Sequence, residues 1–259
     1  PMNAVLSATV VLLSLLFWTS EARAVEPYIQ IGVGAFSRNI VEEDPAIPGF
    51  KFRGTADSTR LIAKAGLEVG GVLNLYLQGG GADLSIDEFN NYDAPMKGMY
   101  GGGLRINLYR APYRDGPTLF VEGNALRFTA DDQVEIERDC TGIAGCPASP
   151  DNFFPTLADE TIQWNEYTVL LGARGRYFDV APYGGIRLSR LDGKDRLHAA
   201  ADANFTTEFL ANPDIKEDDN FGIFFGLDLF MDRSEKTALN FEVSLIDQDS
   251  FQAAIRRAF

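Results

Sequence analysis

Residues 166–177 read Glu-Tyr-Thr-Val-Leu-Leu-Gly-Ala-Arg-Gly-Arg-Tyr. Successive side chains of a strand point to opposite faces, so Tyr167, Val169, Leu171, Ala173 and Tyr177 share one side, and Glu166, Thr168, Arg174 and Arg176 the other. The two tyrosines stand ten steps apart. At roughly 3.3 Å per step and a tilt of about 40°, the face between them is on the order of 25 Å tall. That is the height of the apolar band a strand must present to lipid if it crosses a membrane.

The same alternation recurs along the chain. In 27–36, Ile29, Ile31, Val33 and Ala35 oppose Gln30, Gly32 and Gly34; in 59–69, Leu61, Ala63, Ala65, Leu67 and Val69 oppose Arg60, Lys64 and Glu68. Gly70-Gly71 then supplies a tight turn into 73–78. Further dyad segments lie at 96–108, 117–129, 180–191, 220–230, 237–247 and 250–259, and the segment around Tyr167 extends over 161–177. Connections alternate in length: long ones at about 37–58, 83–95, 130–160 and 192–218, short ones between, with only the short turn near Gln248 out of step. The pattern predicts an all-β fold, a closed antiparallel transmembrane β-barrel of about ten strands (eight being the alternative), with long loops on one side and short turns on the other.

The rest of the composition sets the context. With 259 residues and 46% hydrophobic content, one main domain is expected, and a net charge of -14 argues against nucleic acid as a partner. An apolar run from Ala4 to Trp18, followed by Thr19-Ser20-Glu21 and the small-residue pattern Ala22-Arg23-Ala24, reads as a signal peptide over 1–24, leaving 25–259 as the barrel domain. An uncleaved anchor is the alternative, although the run is shorter than the roughly 20 apolar residues of a spanning helix. Cys140 and Cys146 fit one small loop disulfide; two thiols alone do not complete a tetrahedral metal site.

Taken together, these features resemble the small bacterial outer-membrane β-barrel proteins of the opacity and porin-like kind. The resemblance implies a location in the bacterial outer membrane, with its lipid and lipopolysaccharide as surroundings. It further implies an assembly signal read by the barrel-assembly machinery, which Phe251, Ala253, Ile255 and Phe259 match.

The inward faces would gather a lumen charge network of Arg60, Lys64, Glu68, Arg105, Glu122, Glu166, Arg174, Arg176, Arg187, Asp228, Glu242 and Arg256. Charges in so narrow a space must pair or keep water. Ten strands favour a plugged interior over an aqueous channel. The long connections carry acidic clusters, among them Glu42, Glu43 and Asp44, Asp131, Asp132 and Glu135, and Asp214, Glu217, Asp218 and Asp219. They read first as solvated surface and second as candidates for divalent cations.

No cofactor is expected. The leading functional reading is a structural or adhesive surface barrel without enzymatic activity, and the second is a narrow cation-preferring pore. A third follows from a resemblance to the omptin proteases, ten-strand barrels with rim catalysis: His198 with Asp195 would activate water, and Asp83 with Asp87 would assist. A serine hydrolase is disfavoured, since no Gly-x-Ser-x-Gly elbow occurs.

Overall fold

A computed structural model describes residues 25–43, 51–88, 91–111, 116–140, 153–201, 205 and 208–259. The expected signal peptide and Cys146 lie outside the described residues, while Cys140 is buried just beyond the end of a strand.

Among the described residues, thirteen strands form one continuous antiparallel sheet. They are β1 (Val25–Glu43), β2 (Lys51–Val69), β3 (Leu73–Ile86), β4 (Tyr92–Arg110), β5 (Thr118–Asp139), β6 (Phe153–Arg174), β7 (Val180–Leu191), β8 (Gly193–Ala199), β9 (Phe209–Ala211), β10 (Asp214–Glu217), β11 (Phe221–Phe230), β12 (Thr237–Leu245) and β13 (Asp249–Ala258). Ten of them make a ring in the order β1-β2-β3-β4-β5-β6-β7-β11-β12-β13, and β13 returns to β1 over Tyr28↔Ala258 to Ser37↔Asp249. Closure leaves this ring without an edge, so every strand finds a hydrogen-bonding neighbour on both sides.

The ring is turned inside out relative to a water-soluble barrel. Ile29, Ile31, Val33, Leu75, Leu77, Val169, Leu171, Leu188, Phe225, Phe251 and Ile255 are all exposed on its outer surface. Arg60, Glu122, Glu166, Thr168 and Arg187 are buried inside it.

Beyond this ring the wall changes strand number. The segments expected as long loops are largely strand: β1, β2 and β4 each run for 19 residues and β5 and β6 for 22. Continued alternation carries them past the apolar band. The 192–218 connection supplies two further wall pieces. β8 keeps the register of β7 along β6, with Leu191 opposite Glu166 and Asp195 opposite Ile162, so 180–199 follows one path interrupted at Asp192. There the Asp192 N–H donates to the Asn165 carbonyl at 2.9 Å. β10 then pairs with β8 on one side and with the upper part of β1 on the other.

β12 and β13 do not reach this level. They are only 9 and 10 residues long. The wall above their turn is therefore β1-β2-β3-β4-β5-β6-β8-β10, an eight-stranded extension on a ten-stranded ring. An eight-stranded barrel is just wide enough for side chains to fill. Trp164 sits at the centre, 0% exposed, stacked on Phe128 at 5.8 Å between ring centroids and edge-on to Phe36 at 5.9 Å. Ile40, Leu84, Ile86, Ile162 and Ile215 complete the packing.

At the opposite end, β6 stops at Arg174, shorter than the expected 161–177. Tyr177 lies in the turn, bridged to Val180, because Phe178 takes a φ of 55° and reverses the chain there. We refer below to the extension end and the turn end of the barrel.

Trp164→Ala should destabilise the fold by about 3–5 kcal/mol, since it empties the centre of a closed apolar core. Urea unfolding of the protein in detergent micelles, followed by the heat-shift of its gel mobility, measures that loss.

Candidate functional site

The lumen of the ten-stranded ring holds two tiers of paired charge. In the lower tier, toward the turn end, the Arg105 Nε donates to Glu122 at 2.6 Å and the Tyr76 hydroxyl donates to the other oxygen of the same carboxylate at 2.7 Å. Arg174 donates to Asp228 at 2.6 Å, and Asn240 donates both to Asp228 at 2.8 Å and to the Tyr183 hydroxyl at 2.7 Å. Tyr183 in turn donates to Glu242 at 3.0 Å, Arg256 to Glu68 at 2.9 Å, and Arg176 to Glu235. The Lys64 ammonium lies 5.0 Å from the centre of the Tyr76 ring.

The tyrosines reach these partners because of what faces them. Tyr28, Tyr76 and Tyr183 stand directly across the strands from Gly66, Gly103 and Gly226. A Cβ at those glycines would fall 2.5, 2.5 and 2.1 Å from the nearest ring atoms. Each ring lies down over a bare backbone, which directs its hydroxyl along the wall and into the charge network.

The upper tier sits where ten strands become eight. Glu166 accepts from Arg60 at 3.1 Å and from Arg187 at 2.9 Å. The Arg187 Nε lies 3.1 Å from Asp247, and a second Arg187 nitrogen donates to Gln248 at 2.9 Å. The Ser189 hydroxyl donates to Asp247 at 2.7 Å and receives a hydrogen bond from Arg38. Asp247 and Gln248 belong to the short β12–β13 turn, where Ile246 adopts a φ of 86°. Their side chains are turned into the lumen, 2% and 6% exposed.

All twelve of the network residues named from the sequence line the lumen cavities, which are a central chamber of about 180 Å³ and a vestibule of about 480 Å³ at the turn end. Asn74, Arg105, Arg174 and Arg256 border both cavities. Toward the extension, the chamber meets the apolar packing around Trp164. Phe251, Ile255 and Phe259 face outward on the exposed apolar surface of the ring.

Several members were not anticipated. Trp164 lies within the expected strand 161–177, on the inward face it shares with Glu166, but its place in a core was not expected; Arg38 continues the inward alternation of Phe36 and Glu160 that of Glu166 into stretches expected as loops. Asp247 and Gln248 carry no sequence signal, because a two-sided polar turn looks the same whether it points out or in.

The four residues of the protease-like arrangement are not brought together. Asp195 points into the extension, 5% exposed, whereas His198, three residues on, faces outward 3.8 Å from Glu208. Asp83 accepts from the Thr59 N–H on the outer face. Of the acidic clusters, Glu43 is held by Lys51 at 2.7 Å and by Lys216, Asp218 by Arg53 at 3.4 Å, and Asp131 by Lys97 at 3.5 Å. Among the described residues no group of three or more carboxylate, His or Cys side chains is placed to hold a metal ion.

Within the extension, well above the apolar band, Glu160 is 1% exposed and both its carboxyl oxygens lack a donor, as does one oxygen of Asp195. Burial, with repulsion from Asp195 adding to it, lifts the Glu160 carboxyl far above the ordinary carboxylate range, and burial lifts Asp195 as well. The pair is therefore stable with a proton shared between the two groups.

No family model and no curated protein sequence matches the chain. Among solved structures, the chain is similar to the outer membrane protease OmpT of Escherichia coli, with a TM-score of 0.54 at 10% identity over 93% of this chain and 99% of that one. The translocator domain of the autotransporter NalP of Neisseria meningitidis gives a TM-score of 0.43 at 8% identity over 99% and 95%. The COG4313 outer membrane channel of Pseudomonas putida F1 gives 0.33 at 11% identity over 93% and 98%. At 10% identity the likeness to the first of these is one of fold alone, that of an antiparallel β-barrel.

Two outcomes follow from the tiers and the buried pair. Glu166→Ala leaves Arg60 and Arg187 buried without their common carboxylate and should cost about 3–5 kcal/mol in urea unfolding. The folded-state pKa of the Glu160–Asp195 pair lies above its unfolded value, so the stabilisation is complete below the ordinary carboxylate range of about 4 and is lost as pH rises toward about 9. The urea midpoint should therefore fall between pH 5 and pH 9, and Glu160→Gln should flatten that dependence.

Proposed function

We propose that this chain is a bacterial outer-membrane β-barrel that does not conduct, and that its role is structural or adhesive, presenting the rigid eight-stranded extension at the cell surface. The observation that carries the reading is the combination of an apolar outer wall on the ten-stranded ring with an apolar core closing the extension above it. An outer surface studded with Ile, Leu, Val and Phe around a charged interior is stable in lipid and unfavourable in water. Packed tryptophan and phenylalanine side chains stand between the central chamber and the extension end, which supports a closed rather than an open interior.

This argues against the narrow cation-preferring pore, which would need a continuous line of polar groups or water. A hydrolytic role rests on fold likeness alone, and function does not follow from fold. The residues that would carry it point to opposite faces of the wall. The surface role draws its support from the extension itself, whose outer face carries ion pairs such as Arg53–Asp218, Lys97–Asp131 and Glu43 with Lys51 and Lys216, while its interior holds a packed apolar core.

Refolded protein spanning 25–259 in a planar bilayer should show no conductance steps, with a heat-shift gel confirming that it folded. Reproducible, ion-selective steps from folded protein would overturn the sealed-barrel reading.

A further inference from the structure

Inside the ring, almost every charge already has its counterpart. The guanidinium groups that line the central chamber are each held by a carboxylate, Glu166 and Asp247 in the upper tier and Glu122, Asp228 and Glu68 in the lower. Two charged side chains on that lining are left over, Lys64 and Glu242, one of each sign. Lys64 makes no ion pair or hydrogen bond among the described residues; its ammonium lies beside the Tyr76 ring, and the Glu122 carboxylate, which it also feels, is already taken by Arg105 and Tyr76. Glu242 accepts a single hydrogen bond, from Tyr183, through one oxygen. Lys64 and Glu242 act on each other electrostatically but do not meet as an ion pair among the described residues.

The uncharged neighbours of these two repeat the pattern. Gln30 and Gln78 stand opposite Lys64 on either side of it, on β1 and β3, and Gln252 stands opposite Glu242 on β13. With Asn124 of β5 they line the chamber, and none of these side-chain amides has a hydrogen-bond partner among the described residues. Polar groups in a narrow interior need a partner, from the protein, from water or from a bound solute. The chamber, about 180 Å³, exceeds the space that one water needs by about an order of magnitude. It shares Asn74, Arg105, Arg174 and Arg256 with the vestibule, so its approach is from the turn end.

A ligand with a net charge would leave one of the two spare groups unmet, whereas a solute carrying both signs answers both. We propose that the central chamber binds a small zwitterion of the α-amino acid kind, its carboxylate on Lys64 with Gln30 and Gln78 and its ammonium on Glu242 with Gln252. The Lys64 ammonium and the glutamine side-chain N–H groups donate to the carboxylate; the free Glu242 oxygen and the Gln252 side-chain carbonyl accept from the ammonium. Both ends are charge-assisted hydrogen bonds made away from bulk water, where such bonds are stronger. The site goes beyond the closed-barrel reading and is compatible with it, because it needs access from the turn end only.

The test is isothermal titration of L-alanine into the barrel refolded in micelles of an uncharged detergent, with the heat-shift gel confirming the fold of every variant. L-Alanine should bind saturably to the parent protein, while acetate and methylammonium, each carrying one half of the charge pattern, should bind about tenfold more weakly or less. Lys64→Met and Glu242→Gln should each weaken L-alanine binding by about tenfold or more, the loss expected for charge-assisted hydrogen bonds. Arg53→Gln, on the outer face of the extension, should leave it unchanged. If either single variant fails to fold, the double variant decides the matter, because removing both spare charges together keeps the lumen neutral.

Absence of L-alanine binding to the folded parent would overturn the proposal, and so would binding that survives in the double variant or that acetate or methylammonium reproduces at equal strength. The membrane reading stands or falls separately, on the heat-shift and the conductance measurement.

Discussion

The early end of the β12–β13 hairpin governs much of the architecture. Two strands stop at the level of Arg187, and the wall above must close with two fewer, which it does by bringing β10 from β8 across to β1. Asp247 in the hairpin's turn is held by Arg187 and Ser189, and Arg187 in turn shares Glu166 with Arg60. The ion pairs at this level thus join the short hairpin to the long strands on the opposite side of the ring. Without them, the turn would be a polar loop over an open mouth; with them, it becomes part of the floor on which the apolar core rests.

The change from ten strands to eight also separates two kinds of interior. A ten-stranded ring is wider than hydrocarbon side chains alone fill neatly, and its lining here is charged and paired around a chamber of about 180 Å³. The narrower extension admits a tryptophan flanked by phenylalanines, with little space left for water. Below the junction the apolar surface faces out and the polar groups in; above it a largely apolar core faces in, with Glu160 and Asp195 buried beside it. A single set of continuous strands serves both solvents because only the identity of alternate residues changes along them, as on β6 from Ile162 and Trp164 inside the extension to Glu166 and Thr168 inside the ring.

The inward tyrosines show how such a lining is oriented without a separate plug. Each lies over a glycine on the neighbouring strand, and that contact fixes where its hydroxyl points. Tyr76 and Tyr183 thereby donate to Glu122 and Glu242, carboxylates whose burial would otherwise be unfavourable.

Alternation with a period of two determined a great deal by itself. The ten strands of the ring, the faces of Tyr167 and Glu166, the inward set of charges and the outward Phe251, Ile255 and Phe259 all follow from side chains pointing to opposite faces in turn. What the alternation could not determine was where a strand ends in space. Arg38 and Glu160 belong to strands that run on past the outer apolar band into stretches expected as loops, and Trp164 stands where apolar residues begin to turn inward. The closure of β10 on β1, the inward aim of Asp247 and the opposite facing of Asp195 and His198 were decided only by tertiary structure. Each depends on pairing between segments far apart in the chain, and a local pattern of residues carries no record of which distant backbone will meet it.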